Sequence, residues 1–358
     1  MKTHILLTAL LALSLALATT APWSALGQTG RDEDIVVQYD SPPVTGKVVS
    51  DTWKEVVVEL RGGVGKATVS QEKVRDIQYS DAPLELTAIR SLILQGNYAD
   101  ALKRLQELKS QNVRGFWFDP YKAFYNAECL AGTGKSDDAV KAFQEFVQKY
   151  PEARFVPDAV RSLGRTYAKL AKFDDAKKEF ERLAGGQYGQ VWKYSGQFEL
   201  ADMLRAQGKS QEAAQQYQAF VTTLEGLGAA RPPKLDEQLN TARIAIGRSL
   251  IAGQKYQEAF DYLSKLLKGA SEFRKDSQAT ADAYNLLGDS CLGRNQDEEA
   301  RYYYLHTYVL FPSARAAAKY ALQKAYDITV RLWQKNKSDA EKKQAELFDA
   351  ILKKDYAD

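Results

Sequence analysis

The short run most suggestive of chemistry is Gly132-Thr133-Gly134-Lys135-Ser136. Glycine-rich turns of this kind wrap a phosphate with backbone N–H groups. The full motif needs a small residue at position 129, a strand before it and a helix after it. Position 129 is Cys129, and the residues before the run have helical spacing. A second Gly-Lys-Ser, Gly208 to Ser210, recurs at an equivalent place, so both runs read as turns between paired helices. Past the N-terminal leader the one histidine is His306, set among tyrosines in "EEARYYYLHTYVLFP" at 298–312. One imidazole and two cysteines, Cys129 and Cys291, supply neither a multi-His or multi-Cys metal cluster nor a disulfide framework. Carboxylates are many but show no distinctive pair. The expectation is a protein that is not an enzyme and uses no cofactor or metal.

Charge and targeting narrow the partners. The chain of 358 residues carries 49 basic against 46 acidic side chains, which gives no electrostatic case for nucleic acid. Its start, "MKTHILLTALLALSLALATTAPWSALGQ", has Lys2, an apolar run at 5–18 and small residues up to Gly27. That three-part pattern predicts a signal peptide over 1–27, cut before Gln28. No Cys sits near the cut to accept a lipid anchor. No later segment is apolar for long enough to span a bilayer. A periplasmic or secreted mature chain without a transmembrane segment is expected.

Residues 34–80 differ from the rest. "DIVVQY", "GKVVS", "EVVVEL", "KATVS" and "VRDIQY" are short β-branched runs separated by turn residues. In the third run Val56 and Val58 alternate with Val57 and Glu59, as in a half-buried strand. Five such strands predict a small barrel-like domain, 28–82, too small to be stable alone and expected to dock on the segment C-terminal to it.

From Pro83 the period becomes helical. "GNYADALKRL", "GKSDDAVKAF", "AKFDDAKKEF", "GKSQEAAQQY", "QKYQEAFDYL" and "NQDEEARYYY" align without gaps. Each has an alanine at its sixth place: Ala101, Ala139, Ala176, Ala213, Ala259 and Ala300. Four residues later stands a large apolar or aromatic residue, Leu105, Phe143, Phe180, Tyr217, Leu263 or Tyr304; twelve earlier stands a small one in five of six, with Ile89 the exception. Small residues on facing helices permit close approach, and the larger side chain one turn on fills the space beside them. Tyr304 is therefore an interior residue of its repeat. Tyr308 shares its face, and Tyr303 is expected to pack on the following helix. Cys129 and Cys291 fall on first helices four repeats apart, too far to bond.

This spacing resembles tetratricopeptide (TPR) repeats, W-x₂-L-G-x₂-Y…A-x₃-F…P. "DDAVKAFQEFVQKYPEARFVPDAVRSLGRTYAKLAKFDDAKKEFERL" is similar to the TPR segments of bacterial periplasmic proteins, and 34–80 resembles the Sm-like or SH3-like barrels that precede some helical repeats. The general pattern's Trp is absent. The resemblance implies a mainly α fold: a solenoid of about six helix pairs at 83–312, with capping helices at 313–358. Ser338 and Glu341 form a capping box for the last of them. It also implies a concave groove lined by first helices. Positions eleven before each alanine are Arg90, Glu128, Arg165, Asp202, Arg248 and Asp289, whose alternating signs suggest a self-pairing ladder. Positions fifteen before include Phe124, Arg161 and Phe198, and Tyr121 and Arg205 face the same way. Phe124 and Phe198 are expected to be exposed apolar anchors. Together these residues suit a protein or peptide partner. The expected function is a non-catalytic exported scaffold that holds protein partners in the cell envelope. The alternative is a module that binds envelope polysaccharide or peptidoglycan.

Overall fold

A computed structural model describes residues 33–108, 115–269 and 273–356; the expected leader lies outside them. The β-branched runs form five strands, β1 (Asp34–Gln38), β2 (Val44–Asp51), β3 (Glu55–Glu59), β4 (Lys66–Ser70) and β5 (Val74–Gln78). All pairings are antiparallel, in the order β4-β3-β2-β1-β5. Val56 and Val58 of β3 point inward, as their alternation predicts. Register shifts between Val37 and Gln38 and between Val48 and Ser50 interrupt the alternation, and such bulges bend and twist a sheet.

Helices follow as antiparallel pairs: α1 (Leu84–Leu94) with α2 (Tyr98–Glu107), α3 (Phe118–Gly132) with α4 (Ser136–Lys149), α5 (Val156–Lys169) with α6 (Phe173–Ala184), α7 (Gln190–Ala206) with α8 (Ser210–Gly226), α9 (Asp236–Ala252) with α10 (Tyr256–Gly269), α11 (Ser277–Gly293) with α12 (Asp297–Leu310), and α13 (Arg315–Asn336) with α14 (Asp339–Asp355). All six alanines of the repeat pattern are fully buried, and so, to within about a hundredth, are the larger residues four places on. The close approach is real: a Cβ on Gly164 would stand 2.5 Å from the Phe180 ring, and one on Gly288 2.7 Å from Tyr304.

Each pair turns through one left-handed residue. Gly134, at φ 80°, fills this place between α3 and α4. Ala171, Gln254 and Asn295 occupy it in other repeats at φ 58–60°. The Gly-Lys-Ser runs are these turns and have no strand before them. At the last turn Ser338 accepts the Glu341 N–H. The Glu341 carboxylate does not complete the expected capping box; it accepts from Asn336 Nδ2 at 3.1 Å.

Successive first helices, α3 to α13, pack on one another more extensively than successive second helices do. The first-helix layer is therefore the inner, concave side. Among the described residues no helix is long and apolar enough to cross a membrane. Cys129 and Cys291 are both buried and free.

The sheet is fastened to the helices at several points. Within the sheet, Asp34 of β1 accepts from the Val48 N–H of β2 and from Ser80, which leads toward α1. Asp76 of β5 pairs with Arg90 of α1 at 2.7 Å. Thr52 bridges Ala153 in the α4–α5 loop, and the Trp53 N–H reaches Glu152 O. The Trp53 ring meets Tyr188 edge-on at 5.1 Å.

Candidate functional site

The ten residues expected in the groove fall into different environments. Arg248 of α9 and Asp289 of α11 line one hollow of about 610 Å³ with Asp282, Asn285 and Tyr320. Arg165 of α5 and Asp202 of α7 line a smaller one of about 250 Å³ with Glu199 and Met203. These two hollows are the candidate binding surface of the inner face.

The expected self-pairing ladder does not form. Arg165 pairs instead with Glu199 (Nη2 to Oε1, 2.6 Å), a residue only 2% exposed. Arg248 pairs with Asp282 at 3.1 Å. Glu128 accepts from Ser162 Oγ, and burial raises its carboxyl above the usual range. Arg90 pairs into the sheet. Each of the three inner links, Glu128–Ser162, Arg165–Glu199 and Arg248–Asp282, spans 34 residues. The partner lies nearer the start of the next first helix, Ser162 before Arg165, Glu199 before Asp202 and Asp282 before Asp289, because neighbouring helices are staggered and not level.

Asp202 and Asp289 have a second task. Tyr217 donates to Asp202 at 2.7 Å, and Tyr304 donates to Asp289 at 2.6 Å. The two repeats with tyrosine at the interior position are the two with aspartate on the facing helix. Each carboxylate satisfies a phenol whose ring is wholly buried. Arg205 adds two bonds to Asp202, and Tyr320 donates to Asp289 at 2.7 Å.

Three expectations need correction. Phe124 and Phe198 are not exposed anchors: they are 7% and 5% exposed. Phe124 stacks on Phe155 at 4.5 Å, and Phe198 packs on Tyr217 and Phe220. Tyr121 is not on the groove wall; its hydroxyl donates to Asp51 of β2 at 3.0 Å, under the sheet. Arg161 holds Asp158 at 3.2 Å and lies over the Trp192 ring at 5.3 Å. In the tyrosine-rich run Tyr304 is interior as expected. Tyr303 packs on Phe260 and Tyr284 and also borders the core cluster that includes Ala321, Leu322 and Ala325 of α13. Tyr302 is 63% exposed, beside a half-buried group of Tyr284, His306 and Phe311.

Sequence reasoning missed the junction of sheet and helices. A cavity of about 320 Å³ opens there, walled by Val49, Trp117, Tyr150 and Phe155, with Asp51 and Arg154 among its lining. Asp51 accepts from Tyr79 at 2.8 Å, Tyr121 at 3.0 Å and Gln71 at 3.4 Å. Burial raises its carboxyl above the usual range, against the opposing effect of Arg154 and these three donors. Strict alternation along β2 would turn Asp51 outward; the bulge at Val49 shifts the phase and turns it in.

Against this geometry stand the comparisons. Tetratricopeptide repeat models match residues 124–153, 161–230 and 238–312. The chain carries tetratricopeptide repeats. Its helical part is a TPR-like solenoid preceded by an antiparallel five-stranded sheet. Among solved structures, the apo form of RapI is similar at 9% identity over 74% of this chain and 75% of that one, with a TM-score of 0.53. A tetratricopeptide repeat protein from Parabacteroides merdae is similar at 14% identity over 67% of this chain and 83% of that one, TM-score 0.46. NprR in complex with its cognate peptide NprX is similar at 16% identity over 75% and 76%, TM-score 0.45. No curated protein matches the chain.

Proposed function

We propose that this TPR protein is a non-catalytic, exported scaffold of the periplasmic type, whose inner face holds a protein or peptide partner in the cell envelope. One observation carries the reading: the hollow between α9, α11 and α13, where Arg248, Asp282, Asp289 and Tyr320 surround about 610 Å³ on the concave side. A lining that mixes apolar residues such as Ile251 and Leu286 with charged, amide and hydroxyl groups suits a peptide that supplies backbone polar groups and a few side chains. The signal-peptide pattern over 1–27 supports export. The strand order β4-β3-β2-β1-β5 and its two bulges support an Sm-like or SH3-like assignment of the sheet.

The test is site-specific photo-cross-linking in the intact envelope from position 320, with position 302 on the outer layer as the control. A partner joined at 320 and absent at 302 is expected. It should fall by tenfold or more when Arg248→Glu reverses the rim charge. Equal capture from both positions would remove the groove from consideration.

A second reading, an envelope-polysaccharide module, draws on Tyr302 beside Tyr284, His306 and Phe311, since exposed rings stack on sugars. Loss of polysaccharide retention in Tyr302→Ala with protein capture intact would favour it.

A further inference from the structure

The cavity between sheet and helices has a separate chemistry from the groove. Its walls are mostly apolar and aromatic: Val49 from β2, Trp117 and Tyr121 at the start of α3, and Tyr150 and Phe155 from the α4–α5 loop. Tyr79 stacks on the back of Trp117 at 4.1 Å, and Phe124 stacks on Phe155 at 4.5 Å. Two wall rings are thus held in place from behind. A volume of about 320 Å³ is at the small end of pockets that take a small molecule.

One charged group in this wall is left under-used. Arg154 makes a single long hydrogen bond, Nη1 to Tyr121 Oη at 3.5 Å, and lies over Phe155 at 5.6 Å. The ion pairs among the described residues do not include it. Arginine presents five N–H donors in a planar fork suited to a carboxylate. The cavity's own acid, Asp51, favours the Arg154 charge through space, as does Asp76, but gives it no direct hydrogen bond. Asp51 forms no ion pair with Arg154, and its oxygens are already taken by Tyr79, Tyr121 and Gln71.

The surroundings add positive charge. Lys234, before α9, lies over the Trp192 ring at 4.6 Å, and Arg161 covers the same ring at 5.3 Å. Burial holds the Lys234 ammonium below its ordinary value; Asp158 opposes this, while Arg154 and Arg161 add to it. Asp158 is engaged by Arg161. These three cations are balanced by Asp158, Glu72, Asp51 and Asp76, so it is the unfilled hydrogen-bonding capacity of Arg154, and not a surplus of positive charge, that recruits an acceptor.

We infer that this cavity binds a small apolar monocarboxylate, its body between Trp117, Tyr150 and Phe155 and its carboxylate on the Arg154 guanidinium. The site is independent of any partner held on the inner face. The carboxylate supplies the bidentate acceptor that Arg154 lacks, and the apolar body displaces water from the aromatic walls.

The probes are 3-phenylpropionate, its carboxamide and acetate, titrated calorimetrically into the full chain. The phenyl acid is expected to bind at least tenfold more tightly than either the amide, which lacks the charge, or acetate, which lacks the body. Arg154→Gln should weaken the acid tenfold or more and leave the amide unchanged. Val49→Trp places a larger ring at the half-exposed mouth and should block the acid while Arg154 remains. If Arg154→Gln does not fold, Val49→Trp and the acid–amide comparison decide the matter. Equal binding of acid and amide, no binding of either, acetate as tight as the phenyl acid, or undiminished binding in Val49→Trp each overturns the assignment.

Discussion

A charged residue on an inner helix face is not by itself a contact for a partner. Asp202 and Asp289 hold buried phenols, and Arg165 holds Glu199, which water barely reaches. Removing one member of such a pair strands the other, and an unpaired buried charge is far more costly than a lost surface bridge. Because Arg165 is itself half exposed and screened by water, Arg165→Ala should lower stability by about 1–3 kcal/mol in urea unfolding, at or above the ~1 kcal/mol of an exposed pair. Glu199→Gln in the same chain should restore most of the loss. Asp51 makes the complementary case. Its carboxyl is raised by burial, so its native state holds the proton more tightly than its unfolded state. The associated stability is present below the ordinary carboxylate range and is lost as pH rises through the raised value. Asp51→Asn keeps an acceptor for Tyr79 and Tyr121 without that dependence. Its melting temperature relative to wild type should thus increase between pH 4 and pH 7.5. A constant difference would mean that Asp51 is not held above the usual range.

At the scale of helices, the repeat is an interlock of three positions. The alanine lets two helices close, the small residue opposite admits a ring, and the ring fills the gap. Ala176 is wholly buried and Gly164 faces the Phe180 ring, while Lys178 is exposed and pairs with Asp175 at 3.3 Å. Ala176→Phe should cost about 1–3 kcal/mol or more through overpacking, and Lys178→Phe less than about 0.5 kcal/mol. Thermal melts of the two variants check the register, and equal shifts would refute it. The same interlock explains Phe124 and Phe198. Fifteen residues before the alanine lies on the inner helix, but bulky aromatic side chains there fold back between helices instead of standing in the groove.

Over the whole molecule, contacts run from neighbour to neighbour, as in repeat arrays generally. The sheet is the exception: it touches α1, α3, the α4–α5 loop and the residues before α7 together. It should therefore open with the first repeats and not alone. Trp53→Ala, which removes the ring against Tyr188, should cost about 1 kcal/mol or more. It should raise amide exchange in β1–β5 and also in α3 and α5, leaving α11–α14 unchanged. Exchange raised in the sheet only would show that the sheet is a separate unit. What the sequence determined by itself was everything carried by local spacing: five strands from β-branched runs, helix pairs from a repeating alanine and its aromatic, Tyr304 as interior, and Gly-Lys-Ser as a turn. These come from the periods of strand and helix and need no knowledge of neighbours. Only the tertiary structure decided which polar groups were satisfied and where. A single bulged residue, Val49, turned Asp51 inward. A stagger between neighbouring helices sent Arg165 to Glu199 and not to Asp202. The docking of the sheet closed a cavity whose walls come from residues as far apart in the chain as Val49 and Phe155. Those outcomes depend on phase slips and on distances between elements, which a repeating pattern does not record.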